Sequence, residues 1–141
     1  MGSGEPLPQE EPPILRMTLE RDPKAPARAR SAVTGFSKER KLSAKSLSTL
    51  ELLVSELVTN AVIHSDAPPT SGIHLCARLL GPDAVRVEVT DQGSGFEAAP
   101  RDPERVEGGY GLYLVETQAS KWGIDRRSGT CVWFELVEGD G

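Results

Sequence analysis

The sequence predicts a two-layer α/β (α+β) sandwich, in which helices cover one face of a mixed, mainly antiparallel sheet. Three observations predict it: a helical stretch with one apolar side at residues 50–65, a strand hairpin over residues 73–90, and two strand-like stretches that close the chain. Because the helix and the strands each have one apolar side, the two layers bury those sides against each other. At 141 residues the chain is long enough for one domain with a real core.

Charge and composition exclude several classes of partner. The formal net charge is −5 and no Lys/Arg block stands out, which argues against direct binding of nucleic acid or of an anionic membrane. No apolar run approaches the roughly 18 residues that span a bilayer, and no signal-peptide core follows Met1. We therefore expect a cytoplasmic protein, with Cys76 and Cys131 as buried, reduced thiols.

The first third of the chain divides into an arm, a strand and a helix. Residues 1–13 are rich in Pro, Gly and Glu, so we predict a flexible N-terminal arm before a domain over residues 14–141. From Ile14 to Leu19 apolar and polar residues alternate, which predicts a first strand at a sheet edge. Asp22-Pro23 then begins a predicted helix that extends to about Arg40.

The next helix, predicted over Leu50–Ser65, carries two distinct lines of side chains. One line is a broad apolar face, formed by Leu50, Leu53, Val54, Leu57, Val58, Ala61 and Val62. The other line, Glu56, Asn60 and His64, has four-residue spacing and borders that face. A carboxylate and a carboxamide there are costly to desolvate, so either a bound metal or ligand compensates them or they lie at a wetted flank. Ser43 and Ser48 are both candidate N-caps.

The second half of the chain is predicted to form strands on both sides of a glycine-rich segment. Gly81-Pro82-Asp83 joins the two strands of the hairpin, and the second strand ends at Asp91. Residues 96–108 lack periodicity and are predicted to form a mobile lid, followed by a short helix. Strands are predicted at 122–125 and 130–137, with Trp122 and Trp133 in the core.

Three motifs occur in order along the chain: ELVTNA at residues 56–61, DQGSG at residues 91–95 and GYGL at residues 109–112. Their order and spacing resemble the GHKL ATP-binding domain of histidine kinases, gyrase B subunits, MutL and a heat-shock chaperone, which has the Bergerat fold. The tail WGID followed by GTCVWFEL, and the single-domain size, are most similar to anti-sigma factor serine kinases of the RsbW and SpoIIAB type. The resemblance covers the chain from Leu15 to Leu136.

The resemblance implies a role for each motif residue, and each role has a physical basis. Asp91 would accept a hydrogen bond from the adenine amino group of ATP, and Asn60 would offer a neutral oxygen to Mg²⁺. Glu56, one turn before Asn60, would act as the general base. The remaining cofactor-binding positions leave room for the base or bring backbone amides to the phosphates: Gly93, Gly95, Gly109, Gly111 and Leu112.

The function implied is an ATP-binding anti-sigma factor with protein serine/threonine kinase activity. It would bind a sigma factor and phosphorylate an anti-anti-sigma partner of the STAS type; a homodimer is left open. Neither a helical segment with a phospho-accepting His nor a transducer domain is expected, which disfavours a histidine kinase and a large ATP-driven clamp. The alternative is a nucleotide-binding regulatory module that sequesters a partner without phosphoryl transfer. A stand-alone ATPase ranks last.

Overall fold

The computed structural model describes residues 14–38, 42–64, 67–68, 70–92, 110–126 and 129–138. The predicted arm (1–13) and the predicted lid (96–108) lie outside these residues. The helices are α1 (Ala25–Ser37), α2 (Ala44–His64) and α3 (Tyr110–Gln118). The strands are β1 (Ile14–Leu19), β2 (Ile73–Gly81), β3 (Ala84–Asp91), β4 (Lys121–Asp125) and β5 (Thr130–Val137).

The five strands form one sheet in the order β1-β2-β3-β5-β4. Each pairing described is antiparallel, so the predicted mainly antiparallel sheet is confirmed and these strands contribute no parallel pair. β1 lies at one edge, as predicted. β5, the last strand in the chain, lies inside the sheet between β3 and β4. The order of the strands in the sheet therefore differs from their order in the chain, because β5 and not β4 pairs with β3, whose last residue is Asp91.

The core lies between one face of the sheet and the helices. Alternate residues of β3 and β5 point into it, because successive side chains of a strand point to opposite faces. The buried members are Val85, Val87 and Val89 of β3 and Val132, Phe134 and Leu136 of β5. α2 packs on α1, on α3 and on the sheet, so it is the central helix of its layer.

The apolar face predicted for α2 is buried along its whole length, with Val62 partly covered and the other six residues at most 3% exposed. The helix starts at Ala44, directly after one of the two candidate caps and six residues before Leu50. Ser43 is the N-cap: its Oγ accepts a hydrogen bond from the backbone N–H of Ser46 at 3.1 Å. The Ser43 N–H in turn donates to Glu138 Oε1 at 2.8 Å. This decides between the two predicted caps.

One expectation about membrane segments is wrong. By length and composition, residues Ala44–Ile63 of α2 pass as a candidate membrane span, with a mean hydropathy of 1.3. Ser and Thr residues interrupt this stretch, so the sequence contains no long uninterrupted apolar run here. Core helices pass the same test, and the apolar face of α2 packs on the sheet.

The face of the sheet away from the helices is here called the outer face. It carries three residues that the sequence predicted to be buried: Trp133, Cys76 and Cys131. Trp133 is half-buried there instead of in the core, with the Arg86 guanidinium 3.9 Å above its ring centroid. Val132, Phe134 and Leu136 fill the core side of β5, so the alternation places Trp133 outside. Trp122, by contrast, packs against the core as predicted.

The thiols and one histidine also lie on the outer face. Cys76 and Cys131 are free, as expected, but only partly buried, because their strand positions alternate with core residues. His74, for which the sequence offered no partner, has its Nδ1 3.1 Å from Thr18 Oγ1 on the neighbouring strand. That partner is 56 residues away in the chain, so no local pattern could reveal it.

Candidate functional site

Asn60 is the polar residue that α2 buries most completely. Its side chain is 2% exposed, and neither Oδ1 nor Nδ2 has a hydrogen-bond partner among the described residues. A buried polar group without a partner costs about 1–3 kcal/mol in folding free energy. Native proteins rarely keep such a group unless a ligand, an ion or water satisfies it. The alternative that Asn60 lies at a solvent-exposed flank of the helix is therefore wrong, because its side chain is enclosed.

Glu56 lies one helical turn before Asn60 and is half-buried. Burial raises the pKa of its carboxyl above the ordinary value. A carboxylate with a raised pKa holds a proton more strongly, which suits a group that must accept one during a reaction. The same turn is held in place from α1, because Arg30 Nη1 donates to Ser55 Oγ at 3.0 Å.

Asp91 is the last residue of β3 and is 4% exposed. In the sheet register it stands opposite Thr130, the first residue of β5, which is 1% exposed. The strand end thus presents two buried polar residues side by side, on the same sheet against which α2 packs. This placement fits the predicted strand-end carboxylate.

Gly129 fixes the geometry at this strand end, and sequence reasoning did not single it out. Its φ of 107° lies in the left-handed region that favours glycine. A Cβ at this position would come within 2.2 Å of the Asp91 carbonyl oxygen. Thr130 was also missed as a site residue. The available signal was the Ser-Gly-Thr sequence that begins the last strand, but its meaning depends on the pairing of β5 with β3.

The glycine motifs are only partly described. Gly93, Gly95 and Gly109 lie outside the described residues. Gly111 and Leu112 lie in the first turn of α3, which starts at Tyr110 and packs on α2. The first backbone N–H groups of a helix have no partner within it and can bind anions. The start of α3 therefore matches the predicted position of the phosphate-binding turn.

The available oxygen donors suit a hard cation held mainly by a substrate. No group of three or more His, Cys, Asp or Glu side chains among the described residues could hold a metal by itself. Asn60 Oδ1 is a buried oxygen without a partner among the described residues, and it is the ligand type that Mg²⁺ takes from proteins when phosphates and waters supply the rest. The residues present therefore fit a single Mg²⁺ bound together with a nucleotide.

Comparison with known proteins identifies the family. Residues 19–136 match the model of the histidine kinase-like ATPase domain. The chain belongs to that family. The resemblance predicted from the three motifs is thereby confirmed, and the two-layer fold around α2 is that of this ATPase domain.

Curated relatives of this ATPase-domain protein are bacterial regulators. It is 27% identical over 130 residues to the serine-protein kinase RsbW of Oceanobacillus iheyensis, covering 84% of this chain and 82% of the relative. It is 30% identical over 116 residues to the serine-protein kinase RsbW of Bacillus licheniformis, covering 73% and 72%. A third relative, the anti-sigma F factor of Clostridium botulinum, is 30% identical over 97 residues, covering 63% and 68%.

A solved structure that contains an RsbW domain is also similar to this chain. The ATPase-domain protein matches the structure of the RsbU and RsbW domains of Rv1364c from Mycobacterium tuberculosis with a TM-score of 0.70 and 26% identity. The match covers 89% of this chain but only 32% of that longer chain. A blue-light activated histidine kinase from Erythrobacter litoralis, at 22% identity and a TM-score of 0.54, shares the fold alone.

Proposed function

We propose that this protein is an ATP-binding anti-sigma factor with protein serine/threonine kinase activity. The observation that carries the proposal is Asn60, a buried carboxamide that has no partner among the described residues and lies one turn from Glu56, whose pKa is raised by burial. The family supplies ATP as the ligand class, and relatives named as serine-protein kinases supply the reaction.

Each side chain has a distinct task in the proposed reaction. Asn60 Oδ1 would hold Mg²⁺, which, when bound, neutralises negative charge on the nucleotide phosphates. Asp91 would accept a hydrogen bond from the adenine amino group, with Gly93 and Gly95 leaving room for the base. Glu56 would accept the proton of the attacking serine or threonine hydroxyl.

The phosphates would be held at the start of α3. The backbone amides of Gly109 and Gly111 would donate to phosphate oxygens, with Leu112 continuing the same turn. The helix dipole adds a favourable interaction with negative charge at this end. The start of α3 at Tyr110 and the packing of α3 against α2 support this role.

The proposed partners are proteins of a transcription switch. The sigma factor and the STAS-type anti-anti-sigma protein come from the names and family of the relatives. We place the protein in the cytoplasm, where both partners act. A homodimer is compatible with this scheme.

Incubation with labelled ATP, Mg²⁺ and a STAS partner encoded near this chain tests the kinase activity. Label should move to a serine or threonine of the partner. Nucleotide binding without transfer to any partner would replace the kinase with the regulatory module that only sequesters.

The nucleotide site itself is tested by thermal shift. ATP with Mg²⁺ at about 100 times its dissociation constant should stabilise the wild type by about 2.7 kcal/mol. Asp91→Ala should require a higher ATP concentration for the same shift, because it removes the acceptor for the base. A wild type that shows no shift with ATP and Mg²⁺ would refute nucleotide binding.

A further inference from the structure

One arginine on the outer face of the sheet, Arg86, is paired with two carboxylates. Arg86 donates from Nε to Glu88 Oε2 and from Nη1 to Glu135 Oε2, both at 2.8 Å. Its guanidinium also stacks on Trp133. The indole in turn lies against Gly123, where a Cβ would come within 2.8 Å of the ring. This half of the outer face therefore has two carboxylates for one guanidinium.

The other half of the outer face has the opposite balance. Arg78 stands directly opposite Arg86 in the register of β2 and β3, yet its Nε is buried and has no hydrogen-bond partner among the described residues. Arg16, on β1, is exposed on the same face, one row further along the sheet. We call Arg16 and Arg78 the arginine edge.

A groove of about 620 Å³ runs along the arginine edge. Arg16, Thr18, His74, Cys76, Arg78 and Glu88 line it, and the Glu88 carboxylate is already engaged by Arg86. Two like charges near each other on a strand pair are unfavourable without a counter-charge. A carboxylate matches the planar donor fork of a guanidinium and would supply that counter-charge.

The chain itself carries a suitable anion next to this groove. Residues 1–13 contain Glu5, Glu10 and Glu11 and no Lys, Arg or Asp. Glu11 is three residues before Ile14, a span of at most about 10 Å. Ile14 is paired with Arg78, and neighbouring strands are only about 4.8 Å apart. The Glu10 and Glu11 carboxylates are thus within reach of the arginine edge.

We propose that the arginine edge is a carboxylate-binding site and that its occupant is the Glu10–Glu11 pair of the same chain. The pairing is intramolecular, so a short tether gives it an effective concentration in the millimolar range or above. An exposed ion pair within one chain is worth about 0.2–1 kcal/mol, which keeps it formed for more than half of the time. This inference is independent of the nucleotide site, which lies on the helix side of the sheet.

Nitrogen-15 NMR of the full chain tests the proposal through the Nε–Hε signals of Arg78 and Arg86. Arg78→Lys and Arg86→Lys assign the two signals by their disappearance. The Glu10→Gln/Glu11→Gln double variant should speed exchange of the Arg78 Hε with water a few-fold, the scale of an exposed ion pair. Exchange of the Arg86 Hε should stay unchanged, because its carboxylates come from β3 and β5.

Glu5→Gln is the matched control, since it removes one negative charge nine residues before Ile14 and should leave both signals unchanged. Equal Arg78 exchange in the wild type and the double variant would overturn the proposal. Two other outcomes would also overturn it: protection of Arg78 that depends on protein concentration indicates a second copy, and protection that appears only with an added Glu-rich peptide indicates a partner protein.

Discussion

The N-terminal end of α2 has hydrogen-bond partners for its polar groups, whereas Asn60, in the last two turns of the same helix, has none among the described residues. Ser43 accepts from Ser46, and Glu138 accepts from Ser43, so the first turn is satisfied by protein atoms. Asn60 is buried without a partner, and Glu56 is partly desolvated. One helix thus has an end with hydrogen bonds to protein atoms and an end whose buried amide has no partner among the described residues, which is where we propose that the ligand binds.

The two carboxyl groups associated with these ends shift in opposite directions. The backbone N–H of Ser43, followed by the Ser46 hydroxyl, lowers the pKa of Glu138. Burial raises the pKa of Glu56. A hydrogen-bonded carboxylate is stable as an anion, while a desolvated one gains proton affinity. The difference agrees with a structural role for Glu138 and with the proton-transfer role proposed for Glu56.

The largest expected effect is at the end of α2 where we propose that the ligand binds. Glu56→Gln should lower the rate of phosphoryl transfer by about 100- to 10,000-fold, because general-base assistance is worth that much. ATP affinity should stay close to that of the wild type. Labelled-ATP transfer to the partner measures the rate, and thermal shift measures the affinity.

Glu51→Gln is the matched control for this charge change. Glu51 lies on the same helix, and its Oε2 accepts from Thr34 Oγ1 of α1 at 3.0 Å, a bond that a Gln oxygen can also accept. This control should transfer phosphate at nearly the wild-type rate. A Glu56→Gln variant as active as the control would remove Glu56 from the role of base.

Asn60→Ala should weaken binding of Mg²⁺-ATP without a matching loss of stability in the free protein. Affinity should fall by about 1–3 kcal/mol, the cost of losing a buried polar contact. The free energy of unfolding without ligand should not fall and should rise by up to about 1–3 kcal/mol, because the variant removes a buried polar group that gives up no hydrogen bond to the described residues. Urea denaturation with and without ATP and Mg²⁺ separates these quantities. A large loss in the ligand-free protein would show that Asn60 is structural.

Ser43→Ala tests the N-terminal end of α2, and the expected result is the reverse. The variant should lose about 1 kcal/mol of unfolding free energy, the usual cost of removing an N-cap side chain. ATP affinity should not change, because the cap lies 17 residues before Asn60. Ser48→Ala, at the alternative cap that the structure excludes, should change stability by less than about 0.5 kcal/mol. Equal effects from the two variants would contradict the assigned cap.

The smallest expected effect is on the pH dependence of stability. Because the folded state lowers the pKa of Glu138 below its ordinary value of 4.5, the stabilisation is present above that value. It is lost as the pH falls from 4.5 through the lowered pKa. Glu56 acts in the opposite sense, since the cost of its buried charge is relieved as the pH falls through its raised pKa.

Denaturation of Glu138→Gln and Glu56→Gln at a series of acidic pH values measures both contributions. Glu138→Gln should lose less stability on acidification than the wild type, and Glu56→Gln should lose more. The same slope in all three proteins would contradict the opposite shifts.

The elements of this fold were largely predictable because their signals are local. The spacing of apolar residues predicted the buried face of α2, and alternation predicted β1, β3 and β5. The start of α2 was left open between two caps, because residues 44–49 include only one large apolar side chain, Leu47. Its first turn is completed by Glu138, which no window around the helix contains.

The placement of Glu56 and Asn60 one turn apart on one helix, and of Asp91 at a strand end, was predictable because it follows from local spacing. Their roles in binding and catalysis stay predictions. Gly129 and Thr130 were not predicted, because their positions next to Asp91 depend on the register between β3 and β5. The prediction that Trp133 lies in the core was wrong for a related reason. Alternation shows that two sets of side chains face opposite ways, but only packing decides which set the helices cover.

The position of β5 has a consequence for how the chain is made. Glu138 is synthesised 95 residues after Ser43, which at ordinary translation rates is roughly 5–20 s later. Until Glu138 has left the ribosome, the Ser43 N–H lacks its acceptor, and until β5 has left it, β3 lacks one of its two neighbours. Asp91 and Thr130 can pair only after Thr130 has been synthesised. If Asp91 binds the adenine base as proposed, that part of the site forms only after both β3 and β5 have been made.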